Sequence, residues 1–233
     1  IELVSSADAD LLVDASPTDL TDGEPGMSCV RQALGSGTHV VMANKGPLVL
    51  AYDKLVALAA ETQAQLLFSG TVAGGLPTVN LGVRDLAGSA VLRVEGIFNG
   101  TTNYILTRME EEQIGYEEAL KGAQEAGIAE PDPTLDVDGW DAANKLVIIA
   151  NSFLGVRVGL ADVQVTGITG VTTTDLQAAL AQGNTIKLVA SALYNGNGYA
   201  LTVAPTVVPQ SDFLGGCDGW EMGIEIHSDL YGR

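Results

Sequence analysis

Leu11-Leu-Val-Asp-Ala-Ser-Pro17, His39-Val-Val-Met-Ala-Asn44 and Gln65-Leu-Leu-Phe-Ser69 are short apolar runs, and what separates them decides the fold. Between the first two, residues 27–34 carry apolar side chains at helical spacing and stop at Gly35-Ser-Gly37, where a helix can end. Between the second and third, Pro47 opens an amphipathic helix to about Ala64, with Leu48, Tyr52, Leu55 and Leu58 near one face. The runs themselves suit buried strands, and Pro17 closes the first because it cannot donate to a ladder. Strand, helix, strand, helix, strand implies parallel pairing through right-handed crossovers. Residues 1–69 therefore read as part of a doubly wound α/β sheet.

Working outward, Gly70-Thr-Val-Ala-Gly-Gly-Leu-Pro77 is a glycine-rich hinge, which sets a boundary segment at 70–78. Beyond it the pattern predicts a strand at 91–98 and helices at 101–112, 116–126 and 138–153. A strand at 163–168 and a helix at 174–181, capped by Thr173 or Thr174, come next. Residues 186–194 and 199–208 flank Asn195-Gly-Asn-Gly198, a hairpin signal, and a last strand covers 222–226. Strands and helices no longer alternate, so 79–208 reads as an α+β, mixed-sheet domain, and 209–233 as a closing strand region. A complete dinucleotide-binding (Rossmann-type) domain opens with a strand and Gly-x-Gly-x-x-Gly, whose amides meet the pyrophosphate. No such fingerprint occurs, and Gly35-Ser-Gly37 leads into a strand rather than a helix. Either the first strand–helix–strand unit lies outside this chain, or no dinucleotide binds.

Composition narrows the function classes. The 233 residues include 29 acidic and 11 basic side chains, a net charge of −18, which repels phosphate backbones and excludes nucleic acid as a partner. No apolar run approaches the ~18 residues of a membrane span, and the first residues hold no basic signal region, so a cytoplasmic location is expected. Cys29 and Cys217 are the only cysteines, too few and too far apart for a disulfide framework or a zinc ribbon. Lysine occurs five times, and a lysine-poor acidic surface suits a protein working in high salt, where self-repulsion is screened.

Chemistry concentrates in Glu130-Pro-Asp-Pro-Thr-Leu-Asp-Val-Asp-Gly-Trp-Asp-Ala-Ala-Asn-Lys145. Asp141 and Lys145 are four apart, hence on one helical face, and Asp138 is expected on the same side. A solvated pair of this kind contributes only about 0.3–0.5 kcal/mol. Held at the edge of the apolar run Leu146-Val-Ile-Ile149, the same pair can act as proton donor and orienting group.

This segment resembles the substrate-binding stretch of homoserine dehydrogenases. Ala43-Asn-Lys-Gly-Pro47 resembles the family's strand-end motif, and Gly96-Ile-Phe-Asn-Gly-Thr-Thr-Asn-Tyr-Ile-Leu106 its strand-to-helix element. The likeness runs from about Leu11 to the C-terminus. It implies interconversion of L-homoserine and L-aspartate 4-semialdehyde with NAD or NADP, in the route to threonine, methionine and isoleucine. It also implies that 79–208 is the substrate-binding catalytic domain, and that the strands in 186–208 and 222–226, with 209–233 as the dimerisation region, build a homodimer. Lys145 would exchange the proton, with Lys45 sharing that role beside the cofactor and Asp141 steadying the ammonium. Glu130 and Asp136 would bind the substrate's amino group, Asn99, Gly100, Thr101 and Thr102 would line the site, and Ser16 and Pro17 would touch the cofactor. Carbonyls of Val72, Gly74 and Leu76 would hold Na+ or K+, although Ser69 replaces an acid that some members have before them. His39 and His227 fall in no motif and are expected to be structural. The family's N-terminal fingerprint and C-terminal glycine-rich segment are not present, so a longer intact protein is expected. A related oxidoreductase of amino-acid aldehydes, or an inactive binding or oligomerisation core, are the alternatives.

Overall fold

The structure, a computed structural model, describes Val4, Ser6 and residues 8–233. By packing, the chain divides into two units, Ile1–Ala87 with Val147–Leu160, and Gly88–Leu146 with Ala161–Arg233. The expected domain start at residue 1 lies partly outside the described residues.

In the first unit β1 (Leu11–Asp14), α1 (Gly26–Gly35), β2 (His39–Met42), α2 (Gly46–Thr62) and β3 (Leu66–Leu67) alternate as the sequence predicts. The strands are parallel in the order β1-β2-β3. Helix α1 buries Met27, Val30 and Leu34, and α2 buries Leu48, Leu55 and Ala59 with a kink at Ala51. One expectation is corrected. Strand β1 is not buried: Leu11 is 49% and Val13 62% exposed. Alternate strand residues point to opposite faces, and the face with Leu11 and Val13, which also carries Leu67, is open to solvent among the described residues. The glycine-rich stretch 70–78 lies inside this unit. It leads into α3 (Thr78–Asn80) and a π-helical continuation at Leu81–Asp85. There Gly82 leaves room for the Phe153 ring, which a Cβ would strike.

The second unit contains β4 (Val91–Ile97), α4 (Gly100–Glu112), α5 (Tyr116–Glu125), α6 (Thr134–Val137) and the start of α7 (Trp140–Phe153). After these come β5 (Val163–Val165), α8 (Thr173–Leu180), β6 (Asn184–Tyr194), β7 (Tyr199–Pro209) and β8 (Gly223–Ser228). The mixed sheet runs β5-β7-β6-β4-β8, with β5 parallel to β7 and the other pairs antiparallel. The hairpin forms where Asn195–Gly198 predicts it, pairing Tyr194 with Tyr199. Several boundaries differ from expectation: the strand expected at 163–168 ends at Val165, and the last strand, expected at 222–226, covers Gly223–Ser228. Thr172, rather than Thr173 or Thr174, caps α8 in a capping box with Asp175. Helix α7 starts at Trp140, because Gly139 takes φ 87° and Asp138 ends the preceding short helix. Asp138 therefore does not share a helical face with Asp141. No helix among the described residues is long and apolar enough to cross a membrane.

Candidate active site

Strand β4 delivers its chain to a helix N-terminus. Asn99 leaves the strand with extended backbone and caps α4, its Oδ1 accepting from the Thr102 amide at 2.9 Å. With Oδ1 engaged, both hydrogens of its Nδ2 point the other way. They go to Asp136 Oδ1 at 2.6 Å and Asp141 Oδ2 at 2.8 Å. Lys145, one turn after Asp141 on α7, donates to the same Asp141 oxygen at 2.7 Å and to the Phe98 carbonyl. The side chains of Lys145 and Asp141 are only 12% and 13% exposed, so this is not a solvated pair. Desolvation pushes the Asp136 carboxyl above its ordinary value; the Asp141 charge adds to that, while the Asn99 hydrogen bond and Lys145 oppose it. Lys145, Asp141, Asp136 and Asn99 thus form one cluster of an ammonium, two carboxylates and an amide.

Around it, Thr101 Oγ1 donates to the Ile128 carbonyl at 3.3 Å, tying the first turn of α4 to the chain two residues before Glu130. The Glu130 side chain is exposed, and its carbonyl accepts from Gln124. Thr102 is fully buried, and its hydroxyl donates to the Asn99 carbonyl at 3.1 Å. Its hydroxyl serves the cap.

The first unit holds a separate group at the carboxyl ends of β1 and β2. Asp14, 5% exposed, accepts from the Ser16 amide at 3.0 Å and the Ser16 hydroxyl at 2.6 Å. Asn44 Nδ2 donates to Asp14 at 3.3 Å and to Ser16 Oγ at 3.1 Å, while its Oδ1 receives the Gly46 amide that opens α2. Gly26 is required beside them, since a Cβ there would strike Asn44 and come within 2.7 Å of Asp14. Ser16 and Lys45 are half-buried and Pro17 is exposed.

Known proteins resemble this chain over most of its length. The homoserine dehydrogenase family model matches residues 77–233. Homoserine dehydrogenase of Methanocaldococcus jannaschii is 43% identical over 209 residues, 90% of this chain and 61% of that protein. The chain belongs to the homoserine dehydrogenase family. An NAD(+)-dependent homoserine dehydrogenase of Pseudomonas canavaninivorans is 36% identical over 99% of this chain and 65% of its own length. This chain thus spans less than two thirds of either relative. The crystal structure of homoserine dehydrogenase from Thiobacillus denitrificans superposes with a TM-score of 0.90 at 33% identity, over 96% of this chain and 51% of that one.

Within this member of the homoserine dehydrogenase family, three groups of the two clusters escape a reading of sequence alone. Asp14 shows there only as one acid inside an apolar run, and that oddity was its signal. Asn44 shows in the Ala-Asn-Lys-Gly-Pro motif but not as a bridge from β2 to β1. The Phe98 carbonyl that orients Lys145 belongs to the main chain and leaves no side-chain pattern.

Proposed function

We propose that the protein interconverts L-homoserine and L-aspartate 4-semialdehyde, with NAD or NADP as hydride carrier, as a cytoplasmic homodimer. The supporting observation is the Lys145–Asp141–Asn99–Asp136 cluster, with its ion pair largely withdrawn from solvent. A nicotinamide nucleotide would supply or remove hydride at the carbon bearing the reacting oxygen; NAD is the one named for the Pseudomonas relative. Ser16, Pro17 and Lys45 would hold it. They fit that part, because open α/β sheets take nucleotides beyond the carboxyl ends of their strands.

Two of the three N–H donors of Lys145 are taken within the cluster, and the third would go to the substrate oxygen. As that oxygen gains charge the ammonium stabilises it and then yields its proton; in the reverse direction the amine accepts it. Asp141 keeps Nζ in place. Asp136 and Glu130 would bind the substrate's ammonium group, and the first-turn amides of Gly100 and Thr101 its carboxylate. The carbonyls of Val72, Gly74 and Leu76 would hold Na+ or K+. That reading is supported by left-handed backbone at Ala73 and Gly74, and by a buried Thr78 hydroxyl without a hydrogen-bond partner among the described residues. The dimer reading is supported by β8, an edge strand of its sheet followed by exposed Leu230 and Tyr231.

The test uses the full-length protein, read by absorbance of the reduced nicotinamide formed from homoserine with NAD or NADP, and by sedimentation at several concentrations. Lys145→Ala is expected to lower kcat by roughly 10²–10⁴-fold. An unchanged rate would remove Lys145 from the chemistry, a silent wild type would reject the reaction, and a persistent monomer the dimer.

A further inference from the structure

Lys187 is a buried ionisable side chain that the proposed chemistry does not use. It lies on β6 with 2% of its surface exposed, in a chain with five lysines. An ammonium withdrawn from water is costly unless hydrogen-bonded, and an apolar side chain of similar volume often packs there without loss of stability. Stability alone does not account for it, so its contacts carry the explanation. Its Nζ donates to the Cys217 carbonyl at 2.6 Å and meets Asp218 Oδ1 at 3.3 Å. The same carbonyl accepts from Asn103 Nδ2 at 3.0 Å, and that nitrogen also donates to the Glu221 carbonyl at 3.0 Å. Between these points the Gly219 amide donates to Thr107 Oγ1 at 3.1 Å. The loop 217–221 is thus fastened by its backbone to β6 and α4.

The fastening reaches the active-site cluster. Asn103 is fully buried on α4, one helical turn beyond Asn99. At the head of that turn the loop touches again: a Cβ on Gly100 would stand 2.9 Å from the Trp220 carbonyl. The first turn of α4, which carries the cap that bonds Asp136 and Asp141, is therefore braced along its length by residues 217–221.

We propose that Lys187 is a positioning residue for the amino-acid substrate. By holding the Cys217 carbonyl it sets the 217–221 loop, and through Asn103 and Gly100 it keeps Asn99 aimed at the two carboxylates. The inference rests on the reaction proposed above, and its test separates the two. In the full-length protein, Lys187→Met is expected to raise the KM for homoserine about tenfold, within the roughly 100-fold that a misplacement of about 1 Å can cost, with the cofactor KM unchanged. Lys187→Arg, which keeps the cation, is expected to recover part of the loss. Amide exchange in Lys187→Met should quicken in peptides covering 217–221 and 99–103 and stay as in wild type across the β6–β7 hairpin. Unchanged homoserine KM with unchanged exchange overturns the proposal, as does an equal rise in both KM values. Should Lys187→Met fail to fold, Thr107→Val cuts another tie of the same loop without stranding a charge. The same homoserine-specific rise is expected, and its absence overturns the proposal. A wild type silent toward homoserine rejects the reaction instead, while the exchange pattern still decides whether Lys187 holds the loop.

Discussion

Asp136 and Asp141 lie five residues apart, share one amide donor and yet sit in different electrical settings. Asp141 faces the Lys145 ammonium, whereas Asp136 has its pKa raised above the ordinary 3.8, first by desolvation and then by the Asp141 charge. A carboxyl with a raised folded-state value favours the fold only while protonated. That contribution is present below 3.8 and is lost as pH rises through the folded value, so the fold gains less from this carboxyl at neutral pH than in acid. Asp136→Asn, which still offers Asn99 an acceptor, is expected to raise the melting temperature at neutral pH. The gain should shrink to nothing as pH falls toward about 4, and kcat/KM for homoserine should drop at least roughly tenfold. Melting curves and rates for both proteins across that range check it; coincident melting curves at every pH would defeat the argument. The Asp141–Lys145 pair is legible in sequence because four residues make one helical turn. The Asn99 junction is not, since its partners lie 37 and 42 residues away and only the fold brings them together.

Elements were legible where local chemistry set them and opaque where distant pairing did. Asn195-Gly-Asn-Gly198 carries its own turn preference, and the hairpin follows in register over both strands. The parallel placement of β5 against β7 and of β8 beside β4 depends on contacts far along the chain, and no local pattern encodes them. The start of α7 turned on one residue: Gly139 reads equally as part of a helix or as its break, and only its positive φ decides. Gly96, inside β4, marks a tighter constraint. It pairs with Ala190 on one side and Ile224 on the other, and a Cβ there would fall on the Phe98 ring and within 2.8 Å of the Gly223 carbonyl. Phe98 is the residue whose carbonyl receives Lys145. Gly96→Ala is therefore expected to destabilise by about 1–3 kcal/mol, the usual cost of overpacking, and to lower kcat by displacing that carbonyl. Denaturant melts with parallel rate measurements read both effects; wild-type stability would show that the strand absorbs the methyl.

Across the whole molecule, the alternation of strands and helices was enough to give the layered first unit, but not which sheet face stays open, because a run such as Leu11-Leu-Val looks alike on a covered or an uncovered face. The charge balance, by contrast, is a sequence property with a structural sequel. Among the described residues Arg93, Arg108, Lys121, Lys145, Arg157, Lys187 and Arg233, seven of the eleven cations, are already in ion pairs with carboxylates. Even with every cation paired, 29 acidic groups against 11 basic ones leave a net excess of negative charge. Salt weakens both kinds of interaction, but exposed pairs are worth only about 0.2–1 kcal/mol each, while the repulsion sums over an excess of eighteen charges. Raising ionic strength from about 0.01 M to about 1 M shortens the screening length from ~30 Å to ~3 Å, so the melting temperature is expected to rise. Screening alone gives the same curve for KCl, NaCl and choline chloride. A cation held, as proposed, by the carbonyls of Val72, Gly74 and Leu76 would add a separate, saturating gain for one of the small ions, because it would bind the folded chain only. A melting temperature that stays flat or falls with every salt would refute the repulsion argument, and three coincident curves would leave no bound ion to explain.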